Sequence, residues 1–274
     1  MSTAATVPVL AAVPDRRAWV EQVMGMPVSI HLRGPGVRSA EAEARVQTAY
    51  DELRAVDLMF SPFRAGSDVS RIDRGELTIG TAHPLVGEVA ALCDTARALT
   101  GGAFDAWRPD GGRLRFDPTG MVKGWAVQRT ADHLGAGLEC DVSVNAGGDV
   151  AVRPGRQARP WRIGIEDPRD VSQVIAVVPL VSGGVATSGT VHRGPHLVDP
   201  RSGRAADEVL SVTVVGSSLL WADALATAAF VLGRDGLGLV ETVAGYEAVV
   251  VDQDGIRTTS GLAEAQARTE DMSA

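Results

Sequence analysis

Apolar residues follow two different periods along the chain, and each period predicts one type of secondary structure. Between Glu41 and Phe60, apolar side chains recur roughly every three or four residues with Glu and Arg on the other side, which predicts a scaffold helix. Ser39 is well suited to begin this helix. Similar patterns predict a short helix after Ser67 and longer helices over His83 to Leu99 and Val122 to Leu134.

Runs rich in Val and Ile, bounded by Gly, Pro and Asp, predict β-strands. The first run extends from Trp19 to Leu32 and is expected to form a strand. Shorter strand candidates follow at Val142–Val144, Val150–Arg153, Arg162–Ile165, Val174–Val181, Val209–Val215 and Ala248–Asp252. Helices and strands are intermixed without regular βαβ units, so we expect an α+β fold, a mostly antiparallel sheet flanked by helices.

No internal repeat, low-complexity block or linker is visible, so the chain is expected to form a single domain. With 274 residues, 45% of them apolar, it can bury a substantial core. We expect a flexible N-terminal arm over residues 1–17, the folded domain over 18–260 and a polar tail over 261–274.

The charge balance excludes one class of partner. The formal net charge is −8, and Lys and Arg form no local cluster, so the sequence offers no basic surface to a polyanion. Nucleic acid is therefore not an expected partner.

The cysteines and the chain start predict the compartment. Cys93 and Cys140 lie far apart, with no CxxC motif or nearby His, and are expected to be small buried residues, not a disulfide or metal pair. The N-terminus has no basic region and no cysteine for a lipid anchor, and no apolar run long enough to span a membrane follows. A cytoplasmic protein without a stable membrane anchor is expected.

Two turns suggest a place where backbone approaches a ligand closely. In RFDPTGMVKGWAV (115–127), an Asp-Pro turn and Gly120 precede Lys123 in the first turns of a helix, which forms either a phosphate cradle or an ordinary turn with a surface lysine. In VSVNAGGDV (142–150), Asn and Gly favour a simple hairpin turn. Neither stretch has the spacing of a dinucleotide-binding or Walker-type loop.

A third segment, GGVATSGTVHRGPHLVDPRSG (183–203), concentrates hydroxyl, imidazole and carboxylate groups. A Ser-His-Asp hydrolase is conceivable, but the GxSxG nucleophile elbow is absent. A structural role for the histidines and a ligand or acid–base role remain equally open from the residues alone.

The fourth segment, LLWADALATAAF (219–230), is almost wholly apolar but contains Asp223 and, four residues later, Thr227. Asp223 is interpretable as the N-cap of a helix. If the segment is helical, both oxygens lie on one face, and they are hard ligands of the kind that Mg²⁺ takes. Zinc spacing is absent.

Eight segments, in this order, together resemble the ApbE family of FAD:protein FMN transferases. They are MGMPVSI (24–30), FSPFRAGSDVSRID (60–73), GGAFDAW (101–107), DPTGMVKGWAV (117–127), SVNAGGD (143–149), VATSGT (185–190), HLVDPRSG (196–203) and ADALATAAFVLG (222–233). The resemblance implies a T-fold-like α+β domain and an enzyme that cleaves FAD and transfers FMN to a threonine hydroxyl of a target flavoprotein. In this family the bond formed is a phosphoester, AMP is released and Mg²⁺ is required.

The resemblance also implies roles for individual residues. Asp223 and Thr227 would bind Mg²⁺ through their side chains, with main-chain oxygens of Gly120 and Ala226. His196 would be the base that takes the proton of the acceptor threonine. FAD would be bound by Met24, Phe63, Ala103, Phe104, Asp105, Asp117, Lys123 and Val198.

Two positions depart from the family pattern, and two other functions stay open. Met26 stands where the family usually has Thr, which removes a hydroxyl from the flavin site, and Asp73 stands where Asn is common. A metal-dependent FAD pyrophosphatase, in which water replaces the threonine and FMN and AMP are released, is one alternative. A flavin-binding protein without catalysis is the other.

Overall fold

The computed structural model describes residues 15–190 and 197–262. This part of the chain forms six α-helices, which are α1 (Ala40–Phe60), α2 (Asp68–Asp73), α3 (Pro84–Leu99), α4 (Thr119–Gly137), α5 (Leu219–Leu232) and α6 (Gly236–Glu241). It also forms twelve strands, which are β1 (Arg16–Val23), β2 (Met26–Arg33), β3 (Trp107–Asp110), β4 (Arg113–Phe116), β5 (Asp141–Ala146), β6 (Asp149–Arg153), β7 (Trp161–Asp167), β8 (Asp170–Leu180), β9 (Gly183–Gly189), β10 (Ser211–Gly216), β11 (Tyr246–Val251) and β12 (Ile256–Thr258).

Eight strands form one antiparallel sheet in the order β1-β2-β5-β6-β9-β10-β11-β12. The pairs β3–β4 and β7–β8 form separate hairpins. This architecture confirms the predicted α+β fold with a mostly antiparallel sheet and flanking helices. The predicted division into arm, domain and tail stays a prediction, although β1 already begins at Arg16.

Helices α4 and α5 pack against each other and against the sheet, and they carry much of the buried core. Apart from Asp223 and Thr227, α5 is apolar all round, which is the pattern of a helix enclosed on every side. The amide of Leu219, its first residue, donates to the Gln128 side chain of α4 at 2.8 Å. The unpaired amide at the start of α5 thus finds a hydrogen-bond acceptor on the neighbouring helix.

Local signals located several elements correctly. Ser39 and Ser67 precede α1 and α2, and each side-chain oxygen accepts a hydrogen bond from an amide of the first turn. His83 performs the same role for α3 through Nδ1. Cys93 and Cys140 are free and buried, which confirms that they are small buried residues without a disulfide between them. In residues 15–190 and 197–262, no helix combines the length and apolar character needed to cross a membrane.

Two expectations were wrong, and one strand was missed. The run from Trp19 to Leu32 is a hairpin, because Met24 and Gly25 both have positive φ (54° and 74°) and form its turn. Residues 183–189, which were not among the strand candidates, form β9 inside the large sheet. Asp223 is not an N-cap, since α5 begins at Leu219 after Ser218 and Asp223 lies in its second turn.

Candidate functional site

A cavity of about 1490 Å³ lies where the turns of the sheet meet α4, α5 and the β7–β8 hairpin. It is lined by eleven of the residues assigned above by resemblance, which are Met24, Phe63, Ala103, Phe104, Asp105, Asp117, Gly120, Lys123, Val198, Asp223 and Thr227. Ala226 is fully buried in α5 and is not part of the lining. His196 lies outside the described residues. The structure therefore brings together segments that are up to two hundred residues apart in sequence.

The floor of the cavity is the contact between α4 and α5. The Gly124 amide donates to Oδ2 of Asp223 at 3.0 Å. A Cβ atom on Gly124 would lie 2.8 Å from Cβ of Asp223 and 3.1 Å from the Leu219 carbonyl oxygen. Only glycine therefore allows the two helices to approach this closely and to hold the carboxylate.

Lys123 lies between two carboxylates from different elements. Its ammonium group forms an ion pair with Oδ2 of Asp149 and lies 3.4 Å from Oδ1 of Asp223. Asp149 begins β6, and its other oxygen accepts the amide of Thr187 in β9 at 3.1 Å. Both carboxylates are almost completely buried. The cluster holds one positive and two negative charges when all three groups are ionised.

Asp149 was not among the predicted site residues. The sequence explained its motif as a hairpin, and the structure does show that hairpin, with positive φ at Gly147 and Gly148 between β5 and β6. The turn also directs the first side chain of β6 toward Lys123. The available signal was an Asp directly after the glycine pair, but its partners are far away in sequence.

Burial raises the pKa of the Asp223 carboxyl well above its usual range. The Lys123 ammonium and the Gly124 amide act in the opposite direction, while the negative charge of Asp149 raises the pKa further. A buried carboxylate with incomplete compensation favours an additional cation nearby. The electrostatics of the cluster thus fit a bound metal ion.

The donor atoms around Asp223 fit a hard divalent cation. Thr227 lies one helical turn further along α5, and its hydroxyl is 3.3 Å from that of Ser188 in β9. Gly120, at the start of α4, also lines the cavity. Among the described residues, no group of three or more His, Cys, Asp or Glu side chains is arranged to hold a metal. A metal here would depend on one carboxylate together with hydroxyl and main-chain oxygens, the ligand types that Mg²⁺ accepts.

Two other predicted carboxylates organise the loops above the cluster. Asp117 accepts hydrogen bonds from the amide and hydroxyl of Thr119, at 3.2 and 2.6 Å, where α4 begins. Asp105 accepts the amide of Trp107 at 2.8 Å and forms an ion pair with Arg97 at 3.0 Å. These contacts fix the backbone of the two turns that border the cavity.

The outer rim of the cavity is apolar and open to solvent. Phe63, in the loop between α1 and α2, has a relative exposure of 94%, and Val198 has one of 41%. Met24 lies in the β1–β2 turn. An aromatic side chain this exposed has no packing role in the domain and is available to an aromatic ligand.

The segment after His196 is held by a turn. Oδ1 of Asp199 accepts the amide of Arg201 at 2.9 Å, and the Arg201 guanidinium pairs with the same carboxylate. Hydrogen bonding from Arg201 lowers the pKa of Asp199 to about 2. Asp199 therefore stabilises this turn.

Comparison with known proteins identifies the family. The sequence model of the protein family described as "ApbE family" matches residues 107–250, which is more than half of the chain. Two similar curated proteins are the FAD:protein FMN transferases of Vibrio cholerae, 35% identical over 141 residues, and of Rhodobacter capsulatus, 33% identical over 152 residues. The matched stretches cover 47% and 52% of this chain but 42% and 29% of those proteins, so the chain spans less than half of their length.

Solved structures agree with this match. The ApbE protein of Thermotoga maritima superposes with a TM-score of 0.78 at 24% identity, covering 90% of this chain and 98% of that one. The apo form of the flavinyl transferase ApbE of Pseudomonas stutzeri superposes with a TM-score of 0.74 at 26% identity, covering 93% and 98%. The family match and the shared fold together show that this chain belongs to the ApbE family.

Proposed function

We propose that this chain is a Mg²⁺-dependent transferase that moves FMN from FAD to a threonine hydroxyl of an acceptor flavoprotein. The single observation that carries the proposal is the Lys123–Asp149–Asp223 cluster at the floor of a large cavity with an exposed aromatic rim. Curated relatives named FAD:protein FMN transferase support the same reaction.

Binding of FAD requires charged groups for its pyrophosphate and apolar surface for its ring systems. In FAD, a pyrophosphate joins a flavin half to an adenosine half. The floor provides Lys123 and the buried carboxylates, whereas the rim provides Phe63 and Met24 for ring systems. In this arrangement the pyrophosphate would lie over α4, with the turns at Asp105 and Asp117 beside it.

The metal would be held by this chain's own oxygen atoms. We assign the Asp223 carboxylate, the Thr227 hydroxyl and the main-chain oxygens of Gly120 and Ala226 to it. When bound, Mg²⁺ would screen the pyrophosphate and stabilise negative charge on the AMP leaving group. Lys123 keeps Asp223 and Asp149 partly neutralised and orients both carboxylates.

The transfer step conserves atoms and charge. The threonine oxygen bonds to the phosphorus on the flavin side, the bond from this phosphorus to the bridging oxygen breaks, and AMP leaves. The hydroxyl proton passes to a base, for which we propose His196 on the basis of the family resemblance. An imidazole is suited to this task near neutral pH, at a gain of roughly 10²–10⁴-fold.

The test is an acceptor assay. The chain is incubated with FAD, Mg²⁺ and recombinant flavoproteins that carry a candidate acceptor threonine. An acceptor that gains the mass of FMN and fluoresces after denaturation supports the proposal. Failure of the adduct to form when EDTA is present from the start supports the metal requirement. Release of free FMN and AMP, with unmodified acceptors, would establish the pyrophosphatase instead.

A further inference from the structure

One edge of the β7–β8 hairpin has no partner strand in the part of the chain that the structure describes. β7 pairs with β8 on one side only, and no strand in the described residues pairs with its other side. The backbone of residues 162–165 forms no hydrogen bond to any described residue outside the hairpin. Open strand edges are usually covered, because they pair readily with other chains. In residues 15–190 and 197–262, no strand covers this edge.

The open edge borders the cavity of the functional site. Six consecutive residues of β7, 161–166, line that cavity. A strand face presents only every second residue, so an uninterrupted run shows that the cavity meets the edge of the strand. In agreement, Ile165 is buried against Val249 and Val251 on one face, while Arg162 and Gly164 are exposed on the other.

The pairing register identifies which backbone groups are free. Arg162 lies opposite Pro179, which has no amide hydrogen and is therefore placed at a position without ladder hydrogen bonds. The N–H and C=O groups of Arg162, and of Gly164 two residues later, then point away from β8. Gly164 has no side chain that could hinder a neighbouring strand.

The start of β7 is held against the main sheet by Arg33. Arg33, at the end of β2, forms a buried ion pair with Asp141 and donates to the Pro160 carbonyl at 3.3 Å. Its guanidinium lies 4.3 Å from the ring centre of Trp161. The indole N–H of Trp161, which lines this end of the cavity, is buried without a hydrogen-bond partner among the described residues. It is therefore an unused hydrogen-bond donor.

We propose that an extended segment of the acceptor flavoprotein binds as a third strand along the free edge of β7. This inference rests on the proposed function, which requires a threonine of another protein to enter this cavity. Main-chain hydrogen bonds to Arg162 and Gly164 would hold the segment beside the pyrophosphate site, as in other cases of β-strand addition. The recognised feature is an extended backbone, and a folded helix would not fit.

Proline at an edge position tests the idea. Gly164→Pro removes the outward N–H without removing a bond to β8, whereas Gly164→Ala keeps it, and the added Cβ would be at an ordinary 3.5 Å from Val174. We expect Gly164→Pro to raise the KM for the acceptor about tenfold or more and to leave the Kd for FAD unchanged. Gly164→Ala should behave like the wild type. Arg162→Pro, compared with Arg162→Ala, repeats the test if Gly164→Pro does not fold.

Amide hydrogen exchange on the wild-type chain provides a second readout. On saturation with an acceptor domain that becomes flavinylated, the amides of Arg162 and Gly164 should become protected while that of Ile163 does not change. Efficient FMN transfer with equal KM values for the proline and alanine variants would overturn the edge proposal alone. Protection that depends on the concentration of this chain, without acceptor, would assign the edge to a second copy and overturn it too. Absence of any FMN adduct with wild-type protein would contradict the proposed function itself.

Discussion

The Gly124 amide donates to the Asp223 carboxylate at 3.0 Å, so a residue of α4 holds the only acidic side chain of α5. The two helices approach so closely that a methyl group at Gly124 would overlap Asp223 and the Leu219 carbonyl. The position of the charged cluster therefore depends on a glycine in the neighbouring helix.

Gly124→Ala should destabilise the protein even though alanine is the better helix former. The new Cβ forces α4 and α5 apart, at a cost of about 1–3 kcal/mol in the free energy of unfolding. Urea denaturation measures this cost. The matched control is Gly87→Ala in α3, where no atom lies within 4 Å of the new Cβ and propensity alone predicts a gain of up to about 1 kcal/mol. Equal stability of the two variants would show that the contact is not tight.

Asp223→Asn should abolish most of the Mg²⁺-dependent transfer, because an amide keeps the shape and the Gly124 hydrogen bond but loses the charge. We expect the rate to fall about 100-fold or more, with no loss of folding stability, since a buried charge is removed. Thr227→Val should raise the Mg²⁺ concentration for half-maximal rate, and Thr227→Ser should restore it. Full Mg²⁺-dependent activity of Asp223→Asn would remove this residue from the metal site.

The predictability of the site differs from residue to residue. Asp223 and Thr227 were singled out as candidate metal ligands because a carboxylate and a hydroxyl at helical spacing stand out in an apolar run. Asp149 was missed because its task depends on Lys123, which comes from another element. A local pattern cannot reveal a contact of this kind, and only the packing of β6 against α4 creates it.

The same distinction applies to the fold. Helices α1 and α2 were located from the capping serines and the apolar period, which are local signals. The β1–β2 turn was missed because a methionine, Met24, adopts the positive φ that usually indicates Gly, Asn or Asp. β9 was missed because GGVATSG has no apolar alternation, and its strand conformation comes from pairing with β6 and β10 on both sides.

The Arg33–Asp141 ion pair should stabilise the fold mainly because each side chain compensates the buried charge of the other. We do not expect a large net attraction beyond that compensation. Both side chains are almost completely buried, at 5% and 2% exposure. Arg33→Met leaves Asp141 charged and unpaired, and we expect the free energy of unfolding to fall by about 3–5 kcal/mol. The double variant Arg33→Met with Asp141→Asn should lose clearly less than the sum of the single variants, as measured in a double-mutant cycle. Strict additivity would contradict direct coupling.

Alkaline pH should destabilise the protein through its buried thiols. Burial raises the pKa of Cys93 from 9.0 to about 12, so the folded state keeps this proton while the unfolded state loses it above about pH 9. The contribution of Cys93 to the free energy of unfolding is therefore fully present below pH 9. It should fall by about 1 kcal/mol between pH 9 and 10. The pKa of Cys140 is raised as well, which acts in the same direction.

The check is denaturant unfolding at pH 8 and pH 10, comparing the wild type with Cys93→Ala. The variant should lose less stability between the two pH values. A thiol reagent should label both cysteines rapidly only in the unfolded chain. Fast labelling of Cys93 in the native protein would contradict its burial.

The proposed reaction is the transfer of FMN from FAD to a protein hydroxyl. Intact-protein mass spectrometry of an acceptor flavoprotein, after incubation with the chain, FAD and Mg²⁺, tests it most directly. We expect a covalent adduct of the mass of FMN on a threonine, one AMP released per adduct, and adduct formation that is about 100-fold slower, or slower still, with Asp223→Asn. An unmodified acceptor together with free FMN and AMP, or an adduct formed equally well by Asp223→Asn, would contradict it.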